Sequence, residues 1–325
     1  MNLYNFSTNR RVSLEQMESR LHANKTLGTI VIINCVVNTP LMLMSIIGNC
    51  LVFIAIWRTV SLRTPSMMFI CSLAVSDLLV GLIVQPLYIA NLLMKVRRLK
   101  ILSSMAAFAA CGISLGTMAA ISVDRYLALH YHMRYTAIMT SSRAILALIA
   151  TWMTTLLLSC VIFWNPSIFL AIIAILIVAY LIISAYFYIK IFQVVRRHQV
   201  EIRHQEYSPE TPNAFGLNQK RLHKSALNTF VFYICTILCY LPRFISVPFS
   251  SSDPYKHDKT AWIFADTLIF LNSSLNPALY CWRLRDLRAA VVNTLRETIY
   301  GQTEEHWFPF LRNLIKFLWK SRHLE

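Results

Sequence analysis

Glycine and charge are both scarce in this chain of 325 residues. Only 7 residues are glycine and 14% are Asp, Glu, Lys or Arg. The first shortage excludes collagen-like and Gly-rich linker architectures. The second excludes an ordinary soluble domain, in which about 25% of residues are charged. No P-loop, HExxH or GxSxG motif occurs, so the expectation is that the chain is not an enzyme. A cleavable signal peptide is also missing, because the opening MNLYNFSTNRRVSLEQMESR is polar and has no apolar core. The first apolar span is therefore expected to target the chain itself. Cysteine is absent from the segments between apolar runs: Cys35, Cys50, Cys71, Cys111, Cys160, Cys235, Cys239 and Cys281 all fall within the runs or at their edges. They read as small buried hydrophobes rather than as a disulfide framework.

What is present is hydrophobic length. The residues are 56% hydrophobic and the mean hydropathy is +0.52. A helix needs roughly 20 apolar residues to cross a bilayer. Seven runs qualify: 27–57, 65–94, 101–129, 143–164, 167–195, 225–249 and 260–282. Helices satisfy their own backbone in lipid, so the expected fold is all-α, a seven-transmembrane-helix bundle. Before it lies an N-terminal tail, 1–26. After it comes WRLRDLRAAVVNTLRETI, whose apolar residues recur at helical spacing between basic ones. That pattern describes an amphipathic helix on the membrane surface, over 283–299. The tail 300–325 contains HWFPFLRNLIKFLWKSR (306–322), read either as a second surface-associated segment or as a disordered tail.

About two thirds of the 31 Lys and Arg residues fall on the side of the bundle that holds the C-terminus, which predicts an N-terminus outside and a C-terminus inside. KVRRLK (95–100) runs against this bias. The net charge of +16 is concentrated at span ends, which favours anionic lipid over nucleic acid as its partner. Asn5-Phe6-Ser7 and Asn24-Lys25-Thr26 match the glycosylation triplet before the first span. Both glycosylation at Asn5 and Asn24 and chance occurrence remain open. The long loop 196–224 is polar and basic, whereas Trp164-Asn165-Pro166-Ser167 is the whole turn between spans four and five.

Polar residues inside apolar spans are costly and are candidates for function. Here they form an ordered set: Gly48-Asn49, SLAVSDLLVG with Asp77, Ser114 ten residues before Asp124, Trp152, CYLP (239–242), and LNSSLNPALY (271–280). The order GN, LAxxD, DRY, Trp, CxxP and NPxxY resembles the rhodopsin-like (class A) G-protein-coupled receptors over about residues 27–297. Within that class MMFICSLAVSDLLVG and ISVDRYLALHYHMRYTAIMTSSRA are most similar to the melanocortin receptors, and FYIKIFQVVRRH (187–198) to the adenosine receptors.

The resemblance implies roles for particular residues. Asp124, Arg125 and Tyr126 become the switch at the inner end of the third span, with Asp124 neutralising Arg125 while the bundle is closed. Tyr188 and Tyr280 match tyrosines that support the arginine once the sixth span moves, and Asn276 and Pro277 belong to the same NPxxY motif. The acid that clasps this arginine from the sixth span in many receptors corresponds to Leu222, an absence that implies raised basal activity. Asp77, Ser114, Asn272 and Asn276, with Asn49 nearby, match a sodium pocket, Asp77 and Ser114 being the metal ligands. The alternative is a water-filled network with Asp77 protonated. Ala107, Phe108, Cys111, Tyr240, Arg243, Phe244, Asp266 and Phe270 are expected to line the ligand site. Asp266, Phe270, Ser273 and Tyr280 share one helical face, as do Tyr240 and Arg243. Arg243 and Asp266 can therefore meet, either as a clamp for a zwitterionic or charged ligand or as a structural salt bridge.

Several departures narrow the ligand. The acid that holds amines corresponds to Ala107, and the lysine that carries retinal to Phe270. The acids of melanocortin receptors correspond to Leu87, Lys100 and Ser104, and an asparagine of adenosine receptors to Val247. Tyr240 stands where the class usually has Trp, and Tyr180 replaces the fifth-span proline. The implied partners are a heterotrimeric G protein, arrestin, a receptor kinase, membrane lipid and an unidentified small-molecule or peptide ligand, with the plasma membrane as the location. Two rivals stand against this reading: a decoy receptor that binds without signalling, which the intact DRY and NPxxY oppose, and a seven-span transporter or channel, which the lack of internal repeats opposes.

Overall fold

The computed structural model describes residues 2–131, 134–205, 230–243, 245 and 259–300, with side chains placed for 25–131, 134–197, 230–243, 245 and 261–298. Among these residues there is no strand. The helices are α1 (Asn2–Arg58), α2 (Pro65–Leu79), α3 (Gln85–Met94), α4 (Arg97–Tyr131), α5 (Tyr135–Ile138), α6 (Ser141–Ser159), α7 (Pro166–Gln205), α8 (Phe230–Arg243), α9 (Lys259–Arg283) and α10 (Arg285–Tyr300). Five segments are long and apolar enough to cross a membrane: Lys25–Arg58, Pro65–Met94, Arg97–Tyr131, Ser141–Phe163 and Pro166–Arg197. The described part of the sixth predicted span, α8, is shorter. The seventh, α9, is less apolar because it carries Asn272, Ser273, Ser274 and Asn276, all buried.

Local chemistry sets the helix ends. Thr64 caps α2 by accepting from the Met67 N–H, with Pro65 at the first helical position. Thr140 caps α6 through the Arg143 N–H. The Asn165 side chain accepts from the N–H groups of Ser167 and Ile168, at 2.9 and 3.2 Å, with Pro166 beginning α7. That cap explains how α6 can turn into α7 over so few residues.

Two regions differ from the sequence expectation. Helix α1 begins at Asn2, so the expected N-terminal tail is helical as well, while the apolar span within it, Lys25–Arg58, agrees with 27–57. No Gly or Pro precedes Gly28, so nothing in the backbone interrupts the helix. The second predicted span is not one regular helix, because a π turn at Val80–Val84 separates α2 from α3. Pro86 follows at once and has no N–H to offer the Leu82 carbonyl, a common cause of such a break. Lys95 ends α3 in the left-handed region at φ 51°, its N–H bonded to the Asn91 carbonyl.

Helix α4 lies at the centre, against α2, α6 and α7, and α1 packs along α9. Small residues allow the closest approaches. A Cβ on Gly48 would stand 2.8 Å from the Pro277 ring, and one on Gly116 2.5 Å from Thr151. Polar groups point inward while Ile32, Val36, Trp57, Leu146, Ile175 and Ile182 face outward. This inverts the usual order of a soluble protein and matches a lipid-facing surface. Helix α10 buries Leu287, Ala290, Val291, Val292 and Leu295 and exposes Arg285, Arg296 and Glu297. It is tied to the end of α1 by Arg58–Glu297 at 3.4 Å. The side chains of Asn5 and Asn24, and Phe244, Val247, Leu222 and 306–322, lie outside what is described.

Candidate functional site

Three polar clusters line the interior. The first is at the C-terminal end of α4. Asp124 is 1% exposed and Arg125 18% exposed, and Arg125 Nη2 lies 2.7 Å from Asp124 Oδ2. The same carboxylate accepts from the Ser66 hydroxyl at 2.8 Å and the Tyr135 hydroxyl at 2.7 Å. Three donors from α2, α4 and α5 thus converge on one buried acid. A buried carboxylate is tolerable only with such compensation. Burial, then the nearby Asp124 charge, pushes the Tyr135 phenol up to about 12, so it remains a protonated donor at neutral pH.

Tyr126 turns away from this cluster and stacks on His130, with Phe187 of α7 at 5.4 Å. Tyr188 is buried and stacked on Tyr233 at 4.8 Å, and the Tyr233 hydroxyl donates to the Leu181 carbonyl. Tyr280 is buried edge-on to Phe232, and its hydroxyl has no hydrogen-bond partner among the described residues.

The second cluster is at mid-depth. Asn276 Nδ2 donates to Asp77 Oδ2 at 2.7 Å, whereas Asp77 Oδ1 has no partner among the described residues. The Ser76 hydroxyl donates to the Leu73 carbonyl. Its contact with Ser114 at 3.0 Å therefore uses the Ser114 proton, and the Ser114 lone pairs stay available. Asn272 Oδ1 accepts from Thr236. Asp77 and Ser114 thus bring oxygen acceptors to one place, the chemistry a hard cation takes, while the Asn272 oxygen is shared. Asn49 has a different task. Pro277 has no N–H for the Ser273 carbonyl, and Asn49 Nδ2 donates to that carbonyl at 3.2 Å. Gly48 admits the proline ring and Asn49 satisfies the carbonyl it leaves bare.

The third cluster is at the opposite end from Asp124. Arg243 Nε lies 3.2 Å from Asp266 Oδ1, with the side chains 28% and 27% exposed. The guanidinium also sits over the Trp262 ring at 3.9 Å. Tyr88 meets Phe270 edge-on at 5.0 Å and donates to the Ile263 carbonyl. Ala107 packs in the Phe270 group, and Cys111 packs with Tyr240. Phe108 does not join them, since it is buried against Phe169 of α7 with Ile162. Its ring fills the α4–α7 core, which sets it apart from the other predicted pocket residues.

Sequence reasoning missed Ser66, Tyr135 and Trp262. Tyr135 had a signal, as it closes the stretch ISVDRYLALHYHMRY that begins just before the DRY triplet. Ser66 and Trp262 had none, because only the fold brings them near their partners.

Residues 48–167 and 159–280 match the family model described as "7 transmembrane receptor (rhodopsin family)". Among curated proteins, Melanopsin from Felis catus is 34% identical over 140 residues, covering 42% of this chain and 27% of the relative. The match thus spans about a quarter of that relative's length.

Proposed function

Since the chain belongs to the rhodopsin family of seven-transmembrane receptors, we propose that it carries an extracellular ligand signal across the plasma membrane to a heterotrimeric G protein. One observation supports this most: Arg125 is held at a helix end by a buried carboxylate that α2 and α5 also hold. Such an arginine is charged, restrained and close to the surface. Releasing it would present a guanidinium fork, which stays charged and offers several donors in fixed geometry. Tyr188 and Tyr280 would then support it. Leu222 offers Arg125 no second clasp, so the restraint on Arg125 rests on Asp124, which Ser66 and Tyr135 hold in place. The protein is in this reading a transducer, not a catalyst.

The topology that goes with this reading has seven spans, the N-terminus outside, the C-terminus inside and α10 on the inner membrane surface. Arrestin and a receptor kinase would share the inner face. Asp77, with its unpartnered Oδ1, and Ser114 would hold a sodium ion with help from Asn272 and Asn276. The ion would neutralise the acid and favour the closed bundle. Arg243 and Asp266 would receive a ligand bearing both a negative and a positive group. Subgroup affinity to melanocortin or adenosine receptors is part of the proposal, yet neither group lends its ligand, given Lys100 and Val247. Retinal is not part of the proposal, since Phe270 fills the position that carries the retinal lysine in the resemblance.

The test is guanine-nucleotide exchange in membranes carrying the protein, set against tracer flux. Exchange above that of empty membranes, without flux, is expected. Flux without exchange would refute the receptor reading.

A further inference from the structure

KVRRLK (95–100) opposes the charge bias that orients the bundle. It forms the turn from α3 to α4, at the end of the bundle away from Asp124. Lys95, Arg97, Arg98 and Lys100 are all exposed, and none of them forms an ion pair among the described residues. Lys95 stands in the left-handed position that ends α3, at φ 51°, where Gly or Asn is the usual occupant. Arg97 and Arg98 open α4, whose first turn holds no acidic residue, although the N-terminal end of a helix favours acids. Four cations within six residues thus repel one another and weaken the orientation signal, and two of them sit at the unfavourable end of a helix.

The rest of this side of the bundle gives little relief. The segments 1–26, 95–100 and 243–266 carry eleven Lys and Arg against five Asp and Glu, and one of those acids, Asp266, pairs with Arg243. The patch also lies apart from the ligand residues. Lys100 and Arg97 precede Ala107 by seven and ten residues of one helix, about 10 and 15 Å of axial rise. An exposed turn does not enclose a small anion, but an extended polyanion can run along several of its cations. Arg97 and Arg98 add guanidinium forks, which match paired oxygens on a sulfate or phosphate group. Anionic lipid belongs to the inner leaflet, so on the outer face the fitting polymer is a sulfated polysaccharide. Lys- and Arg-rich runs of about this length recur as heparin patches.

We propose that Lys95, Arg97, Arg98 and Lys100 bind sulfated polysaccharide of the cell surface, on a rim outside the ligand residues. The proposal rests on the topology with the N-terminus outside. The chain's own acids on this side, Glu15, Glu18, Asp253 and Asp258, and acidic protein are the competing partners.

The test uses intact cells that make no glycosaminoglycan and express the full chain with an N-terminal epitope. Antibody to the epitope measures surface protein, and fluorescent heparin measures binding. Wild-type cells are expected to bind heparin at least about tenfold above untransfected cells, and less as salt rises. The fourfold variant Lys95→Gln/Arg97→Gln/Arg98→Gln/Lys100→Gln is expected to lose most of that binding at equal antibody signal, and fully desulfated heparin is expected to bind neither protein. Equal heparin binding by wild type and variant overturns the proposal. So does wild-type binding no higher than that of untransfected cells, the result if the chain's own acids fill the patch. Polyglutamate that displaces heparin equally well at equal charge also overturns it, in favour of an acidic protein. If the fourfold variant does not reach the surface, Lys95→Gln/Lys100→Gln and Arg97→Gln/Arg98→Gln decide. Each should lose part of the binding, and two double variants that bind like wild type count against the patch. Antibody signal without heparin binding sinks the patch alone, whereas an epitope reached only after permeabilisation sinks the topology and the patch together.

Discussion

Among the described residues two Arg–Asp pairs stand at opposite ends of the bundle, and they are built on opposite plans. Asp124 is buried and accepts from Ser66 and Tyr135 as well as from Arg125. Asp266 and Arg243 are each more than a quarter exposed and meet at 3.2 Å, with Trp262 beneath the guanidinium. Where donors saturate a carboxylate, the arginine can leave without orphaning it. Where two half-open side chains meet, an incoming ligand can replace either partner. The first plan suits a latch and the second a receiving site.

The sharpest way to break this contrast is to remove the latch arginine. Arg125→Ala leaves Asp124 with two neutral donors, so the fold and surface expression should persist while exchange falls by more than about tenfold, or about 1.4 kcal/mol. Retained signalling would end the latch reading. Arg125→Lys should restore only part of it, since an ammonium lacks the planar fork. Between the two pairs, Asp77→Asn removes the charge that would hold sodium. In wild type, sodium but not a bulky organic cation should lower agonist affinity, through reciprocal linkage. The variant should show no sodium effect, and a surviving effect would refute the assignment.

Removing one bond from the latch should do less. Tyr135→Phe loses a hydrogen bond to a charged acceptor, about 1.5–3 kcal/mol at most and less at a half-buried site. Basal exchange should rise severalfold, with agonist-stimulated exchange little changed. Unaltered basal exchange would show that Tyr135 does not restrain Asp124. The sign of its pH dependence follows from the raised phenol, at about 12. A group whose folded pKa is raised gives a contribution fully present below its ordinary value near 10, and loses it as pH rises through about 12. The Tyr135 contribution to basal restraint should therefore stay constant from pH 6 to 9, measured as the ratio of Tyr135→Phe to wild-type exchange.

Much of the bundle was legible in the sequence because lipid leaves few options: long apolar runs become helices, and polar residues within them turn inward. The meeting of Arg243 with Asp266 followed from helical spacing and the adjacency of two spans. The interruption at Val80–Val84 was not legible, because Gln85-Pro86 within an apolar run signals a disturbance but not its form. Ser66 at Asp124 and Asn49 at the Ser273 carbonyl were hidden for another reason. Each is a short polar side chain whose partner lies on a distant helix, so its meaning depends on rotation and depth. Phe108 shows how rotation alone separates neighbours: one residue turns a helix by about 100°, so its ring packs on Phe169 of α7 while Ala107 packs in the Phe270 group.

The smallest effect expected belongs to the open pair. Partial exposure weakens the attraction between Arg243 and Asp266, because solvent screens it and holding both side chains costs entropy. Pairs of this kind couple by about 0.5–1 kcal/mol. The Trp262 ring stays under Arg243 when Asp266 is removed, so Asp266→Ala should cost less than it would with a bare cation. Arg243→Ala leaves Asp266 without the described partner and should cost more. In a double-mutant cycle on melting midpoint, the losses of the two single variants should add to more than that of Arg243→Ala/Asp266→Ala, by about 1 °C for a chain of this size. The cycle should be repeated at high salt, where an exposed pair weakens and a buried one does not. Coupling that vanishes at high salt is the signature of a site open to charged ligands. Coupling of several kcal/mol that ignores salt would make this pair a second buried lock and erase the contrast with Asp124.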